Sequence, residues 1–304
     1  MEYESKSVHP TEVISEGWEL IKSDYWLFFG ITLVMTLIVV AISGVLVAAV
    51  GEIAQIVTRG VGIVSDGTPA NVAAALVPSL IKEGFNVITT FVTTLISALL
   101  TCGIYVALWR KASGEAPDFG DLFAGFKFFQ PCLIVTLLLT LFQFALSVSM
   151  VLVAFLFGIS SLGTEIITPG GRFDPSIFRA LIPAFLVIAI LYLIFTFIFG
   201  VLTFFVYQLI ATKNAFAAEA ITQSVRAGLR NFFPLIALSI IEGLMAIAGA
   251  LLCIVGIFFV IPILMAANFA AYLRVFGRPD NLAQHLPPPP PVFGAQPNSG
   301  FSQF

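Results

Sequence analysis

Charge is what this chain has least of. Asp, Glu, Lys and Arg make up 10% of its 304 residues, where a soluble domain carries about a quarter. With 59% hydrophobic residues, it has more apolar surface than a water-soluble core can enclose. A formal net charge of −3 predicts no nucleic-acid footprint, since such domains concentrate Lys and Arg on one face. Histidine is scarce: His9 and His285 lie near the two termini, leaving a histidine metal site or a Ser-His nucleophile pair little to build on. Cys102, Cys132 and Cys253 fall in or beside apolar runs without the paired spacing of metal ligands, and read as small buried residues rather than redox centres or disulfides. No glycine-rich loop ends in Gly-Lys-Ser or Gly-Lys-Thr, so ATP-driven work would need another subunit. Three Trp and six Tyr stand beside 31 Phe, a residue that adds large apolar area with no polar atom needing a partner. These gaps predict a protein that is not an enzyme and has no cofactor or metal.

Present instead are long runs free of Lys, Arg, Asp and Glu. About 20 such residues make a helix that crosses roughly 30 Å of hydrocarbon. The chain offers Trp26 to Val50, Asn86 to Trp109, Pro131 to Ile159, Leu181 to Ala211, Phe232 to Leu252 and Gly256 to Tyr272. The runs are continuous rather than alternating, which predicts helices over a barrel. One helix over Phe232 to Phe276 would be about twice as long as the bilayer is thick, so a tight reversal is expected near Cys253 to Gly256. The fourth run is overlong and should tilt or emerge, with Pro183 in its first turn. A polar stretch before the first run, and that run's length, argue against a cleaved signal peptide.

Two heptapeptides repeat. Gly125-Phe126-Lys127-Phe128-Phe129-Gln130-Pro131 matches Gly228-Leu229-Arg230-Asn231-Phe232-Phe233-Pro234 at a spacing of 103 residues, with Gly, the basic residue, Phe and Pro in register. A weaker amino-terminal copy keeps Lys22 and the aromatic pair Tyr25-Trp26, with Leu27 in place of Pro. Tyr105, Tyr207 and Tyr272 each precede a basic residue, Arg110, Lys213 and Arg274. Three units of one surface helix and two crossings, 11–110, 115–213 and 216–278, would account for a membrane domain over 1–278; chance recurrence in a Phe-rich chain is the competing reading.

The surface segments have helical periodicity. Ile14, Trp18, Ile21 and Tyr25 share one side against Glu12, Glu16, Glu19 and Lys22, and Ile221, Val225, Leu229 and Phe233 do so against Gln223, Arg226 and Arg230. Asp121 to Phe129 is a shorter version with Leu122, Phe126 and Phe129 apolar. Pro131 and Pro234 suit the turn from the interface into a crossing. The expected fold is an all-α integral membrane protein: six transmembrane helices in three hairpins, each preceded by an amphipathic interfacial helix. Its interfacial anchors are Trp18, Tyr25, Trp26, Phe126, Phe129, Pro131, Phe232, Phe233 and Pro234.

This arrangement resembles a bacterial family of multispan membrane proteins of unknown function, related to the membrane domain found ahead of some glycerophosphodiester phosphodiesterases. The likeness lies in Arg110 to Phe129, through Gly114, Pro117, Asp121-Leu122-Phe123 and Gly125-Phe126-Lys127, and in Ala220 to Phe233 followed by a hairpin with Gly256 and Pro262. It implies six helices and assigns no substrate or active residue; the soluble phosphodiesterase barrel is missing. Basic residues favour short cytoplasmic segments. Lys6, Lys22, Arg110, Lys111, Lys127, Lys213, Arg226, Arg230, Arg274 and Arg278 fall on one side and Arg59, Lys82, Arg172 and Arg179 on the other, so both termini are expected in the cytoplasm of a bacterial inner membrane.

Glu242 is the residue whose position demands an explanation. An unaided carboxylate near the middle of the fifth run costs several kcal/mol, so Glu242 should face the bundle or be protonated. Asn268 and Gln143 are its candidate partners, and the group serves either as hydrogen-bonding glue between helices or as a proton or cation site. Gly44 and Ala48 have the spacing of a close helix approach, and Thr89, Thr90, Thr93, Thr94, Ser97 and Thr101 form either a polar seam or a set bonded back to their own helix. Gly51 to Phe85 and Ser160 to Ala180 are long enough to fold over the outer surface, with a helix over Val72 to Leu80. The tail, 279–304, holds Pro287 to Pro291 and reads as disordered or as a partner's docking site. The functional expectation is a membrane protein that organises lipid or partner proteins, with the bilayer as its one definite partner. The alternative is a transporter or channel for a small solute using Glu242.

Overall fold

The computed structural model describes residues 9–60, 69–162, 176–252 and 255–277. Its α-helices are α1 Pro10–Ile21, α2 Tyr25–Gly60, α3 Pro69–Ala112, α4 Asp121–Ala124, α5 Phe129–Leu162, α6 Ser176–Leu202, α7 Val206–Lys213, α8 Ala217–Arg230, α9 Phe232–Leu251 and α10 Val255–Phe276. Short 3-10 turns, Lys22–Asp24 and Gly125–Phe128, lead into α2 and α5. No strand occurs among the described residues, and six segments are long and apolar enough to cross a membrane. The protein is an all-α membrane protein. Its outer apolar faces are left open, as lipid permits: Leu37 and Val45 of α2, Leu141 of α5, Leu193 of α6 and Leu244 of α9 are all more than half exposed.

The crossings come in pairs, α2 with α3, α5 with α6 and α7, and α9 with α10. The first helix of each pair also touches the second helix of a neighbouring pair, so that α2 meets α10, α5 meets α3 and α9 meets α6. The second helices converge at the centre. There Tyr105 of α3 stacks on Phe269 of α10 with ring centroids 6.1 Å apart, and the hydroxyls of Thr212 on α7 and Tyr272 on α10 lie 2.5 Å apart. Phe205, Leu209, Phe269 and Tyr272 are fully buried in this core. Each second helix leaves through a left-handed residue that ends it, Gly114 after α3, Asn214 after α7 and Gly277 after α10.

The short leading segments pack on protein as well as facing outward. Each sits on the second helix of the preceding pair, α4 and its 3-10 turn on α3 and α8 on α6 and α7, while α1 closes the circuit by packing on α10. A glycine marks each seat. A Cβ on Gly17 would lie 2.6 Å from the Ala267 nitrogen, one on Gly125 1.8 Å from the Leu99 carbonyl oxygen, and one on Gly228 3.0 Å from the Val201 carbonyl oxygen. The faces differ from the expected stripes accordingly. In α1 the buried side is Val13, Gly17 and Ile21, with Trp18 turned out; in α8 it is Ala217, Ala220, Ser224, Ala227 and Gly228, with Leu229 turned out. Small residues seat the helix on its neighbour, which frees the large apolar ones for lipid. The middle segment is helical only over Asp121–Ala124 and tightens to 3-10 over Gly125–Phe128, against α3.

The overlong fourth run is broken rather than tilted as one rod. Residues 203–205 interrupt it between α6 and α7, and Ser224 of α8 spans the gap: its hydroxyl donates to the Leu202 carbonyl at 2.9 Å and accepts from the Phe205 N–H at 3.1 Å. Pro183 stands well inside α6, which begins at Ser176, rather than in its first turn. Of the two segments expected to fold over the outer surface, 61–68 and 163–175 lie outside the described residues, and the described parts belong to α2, α3, α5 and α6. Val72 to Leu80 is helical as expected, but as part of α3, which continues through Pro78 and Gly84 to Ala112, and α2 runs on to Gly60. A Cβ on Gly44 would meet nothing within 4 Å, so Gly44 makes no close helix approach among the described residues. The reversal between α9 and α10 is where expected: the Gly256 N–H donates to the Leu252 carbonyl at 3.2 Å, and Gly249 and Gly256 pass in near contact.

Gly125→Val should lower the thermal unfolding midpoint in detergent by at least the ~1–3 kcal/mol of an overpacked core, because the added carbons meet the Leu99 backbone. Gly44→Val, in open space, should leave that midpoint unchanged.

Candidate functional site

Glu242 lies midway along α9, and its Oε1 is buried without a hydrogen-bond partner. Oδ1 of Asn268 on α10 is in the same condition. Burial of Glu242 Oε1 by protein atoms shows that the carboxyl turns toward the bundle rather than toward lipid. Gln143 does not join them. Its Nε2 donates to the Tyr192 hydroxyl at 2.5 Å and to Thr196 Oγ1 at 3.3 Å, which pins α5 to α6. The amide finds its acceptors on its own paired helix, one turn apart. Glu242 Oε1 and Asn268 Oδ1 are thus two buried acceptors without a donor among the described residues, on the paired helices α9 and α10.

Other buried polar groups sit nearby in the core. Gln208 Oε1 and Thr136 Oγ1 have no partner, and the Tyr207 hydroxyl lies beside Thr136 without meeting hydrogen-bond geometry. Thr93 of the threonine series bonds back to the Thr89 and Thr90 carbonyls of its own helix, the local satisfaction that leaves no polar seam at that residue. Cys102 of α3 and Cys132 of α5 are buried free thiols with sulfurs 3.4 Å apart. Thirty residues and a reversal separate them in sequence, so spacing gave no sign of the pair. Cys253 and His285 lie outside the described residues, and His9 is exposed at the start of α1.

The charged end of the bundle is the second concentration of polar chemistry. Arg110 pairs with Asp121 at 2.7 Å and Glu115 at 3.2 Å, Lys111 with Asp24, Lys22 with Glu19, and Arg274 with Glu12 at 2.8 Å and Glu16 at 2.9 Å. Lys213 rests over the Phe276 ring, 4.9 Å from its centroid. Among the described basic side chains, Lys127, Arg226 and Arg230 have no such partner. No family model, curated protein or solved structure matches this chain. Its own geometry therefore carries the reading. Lys127 and Arg230 hold the same place in the two matching heptapeptides, and both are exposed.

The anchors gather around the same junctions. Trp26 is 72% exposed and Phe233 80%, and Trp18, Phe126 and Phe129 also face outward. Tyr25 is half-buried and donates from its hydroxyl to the Phe259 carbonyl at 2.9 Å, tying the start of α2 to α10. Phe232 is half-buried, and Pro131 and Pro234 occupy the first turns of α5 and α9, where the missing N–H leaves no gap.

Glu242→Gln, which keeps the shape and removes the charge, should unfold in detergent at or above the wild-type temperature, since an unpartnered buried carboxylate is a cost of several kcal/mol. A clear fall in the midpoint would show that the carboxylate holds a ligand or donor essential to the fold.

Proposed function

We propose that the protein is a non-enzymatic scaffold of a bacterial inner membrane, gathering lipid or a partner protein around a six-crossing bundle whose charged end and both termini face the cytoplasm. The observation that carries this reading is the coincidence, at the junctions, of outward-facing Trp26, Phe126, Phe129, Leu229 and Phe233 with the uncommitted cations Lys127, Arg226 and Arg230. Aromatic rings and basic groups at one level are what a headgroup layer accommodates. The likeness to the six-helix family of unknown function is compatible with such a role, and the recurrent seat of α1, α4 and α8 supports an origin in duplication of one unit.

A second reading, a carrier or channel for a small solute, draws on the unpartnered oxygens of Glu242 and Asn268. The two readings separate on one pair of measurements. Native mass spectrometry of gently extracted protein should find a stoichiometric lipid or protein companion that is lost when Trp26, Phe129 and Phe233 are together replaced by Ser. A bare protein that moves a solute through liposomes, with pH-dependent flux altered by Glu242→Gln, would replace the scaffold by the carrier.

A further inference from the structure

A cleft of about 360 Å³ opens between α6, α8 and α9, lined by Ile198, Leu202, Leu229, Arg230, Phe232, Phe233 and Pro234. Apart from the guanidinium its walls are apolar. Arg230 also lines an adjoining recess of about 30 Å³, together with Gln223, Arg226, Asn231 and the end of α10 at Phe276. Arg226 and Arg230 stand one helical turn apart on α8, so their guanidinium groups share a face. Neither has a carboxylate partner among the described residues, in a bundle end where four other cations are paired with carboxylates. The nearby carboxylate, Glu219, is engaged with the Gln223 amide nitrogen at 2.8 Å, which leaves the Gln223 Oε1 buried and without a donor.

We propose that this cleft and recess form one site for an anionic phospholipid whose headgroup carries a hydroxyl, of the phosphatidylglycerol kind. The proposal rests on the scaffold reading and gives that reading its ligand. An acyl chain lies along Leu202 and Ile198 and continues onto the open outer face of α6, where Ile194 and Phe195 are about half exposed. The phosphodiester takes hydrogen bonds from Arg226 and Arg230, whose planar forks suit two oxygens each. The headgroup hydroxyl donates to Gln223 Oε1, the acceptor that the protein leaves unpaired, once the amide turns into the recess that Gln223 lines. A free phosphate would meet the arginines alone and leave the apolar walls empty, so the lipid is the occupant that uses the whole surface.

The test is lipid exchange followed by native mass spectrometry on the full chain, with phosphatidylglycerol and phosphatidylcholine of matched acyl chains. The expected result is one bound phosphatidylglycerol, favoured over phosphatidylcholine roughly thirtyfold by the two cations. R226Q with R230Q should abolish the preference while weak phosphatidylcholine binding persists, which also shows that the variant is folded. Lys127→Gln, an uncommitted cation outside the cleft, should leave the preference intact. Equal binding of the two lipids, an equal loss in Lys127→Gln, or displacement by inorganic phosphate would overturn the site. If the double variant still prefers phosphatidylglycerol, the lipid binds elsewhere and the scaffold reading survives without this site; if the wild type retains neither lipid nor protein, the scaffold reading falls with it.

Discussion

Arg274 reaches across from the last helix to the first, and the shape of the bundle depends on that contact. Three paired crossings surround a centre built from α3, α7 and α10, and two of the seats between pairs are made by segments that follow directly in the chain. The third has no such connection. It is made by α1 lying against α10, with Gly17 pressed on the Ala266 and Ala267 backbone and Arg274 held by Glu12 and Glu16. The Arg274 side chain is 15% exposed while Glu12 is 59% and Glu16 36% exposed, so water screens the carboxylate side of the contact and the close seat at Gly17 supports it. Without it, α10 would lose its outer cover and the first helix its place.

The same demand for satisfied backbone explains the irregularities. A helix broken in or near lipid leaves carbonyl and N–H groups that water cannot serve. The α6–α7 break is tolerated because Ser224 serves both ends of it, and Ser224 can do so because α8 is seated there by alanine and glycine. The break, the seat and the outward turn of Leu229 and Arg230 are thus one arrangement. They place the free cations of α8 at the mouth of an apolar cleft.

Much of the architecture was legible from apolar run length alone. The six crossings, the glycine reversal before α10 and the place of Pro131 and Pro234 in first turns follow from what lipid and helix geometry allow. The seats were not legible. An apolar stripe says which face of a helix must leave water, but not whether lipid or another helix receives it, and the small residues that decide this in α8 scarcely register as apolar. Helix ends are misjudged where the helix runs on through a residue that usually stops it, as α3 does through Pro78 and Gly84 and α6 through Pro183. At the candidate sites, the sequence singled out Glu242 and Asn268 by their polarity in apolar surroundings. It could not say that Gln143 is committed to Tyr192, or that Arg226 and Arg230 lack partners among the described residues, since pairing is a property of the folded surface.

Closure of the bundle by its first helix is tested most directly by exchanging the charges that hold it. Arg274→Glu alone should lower the thermal midpoint in detergent, because three carboxylates then face one another where an ion pair stood. Adding Glu12→Arg and Glu16→Arg in the same chain should restore it. An unchanged midpoint in the single variant, or no recovery in the triple, would contradict the closed arrangement.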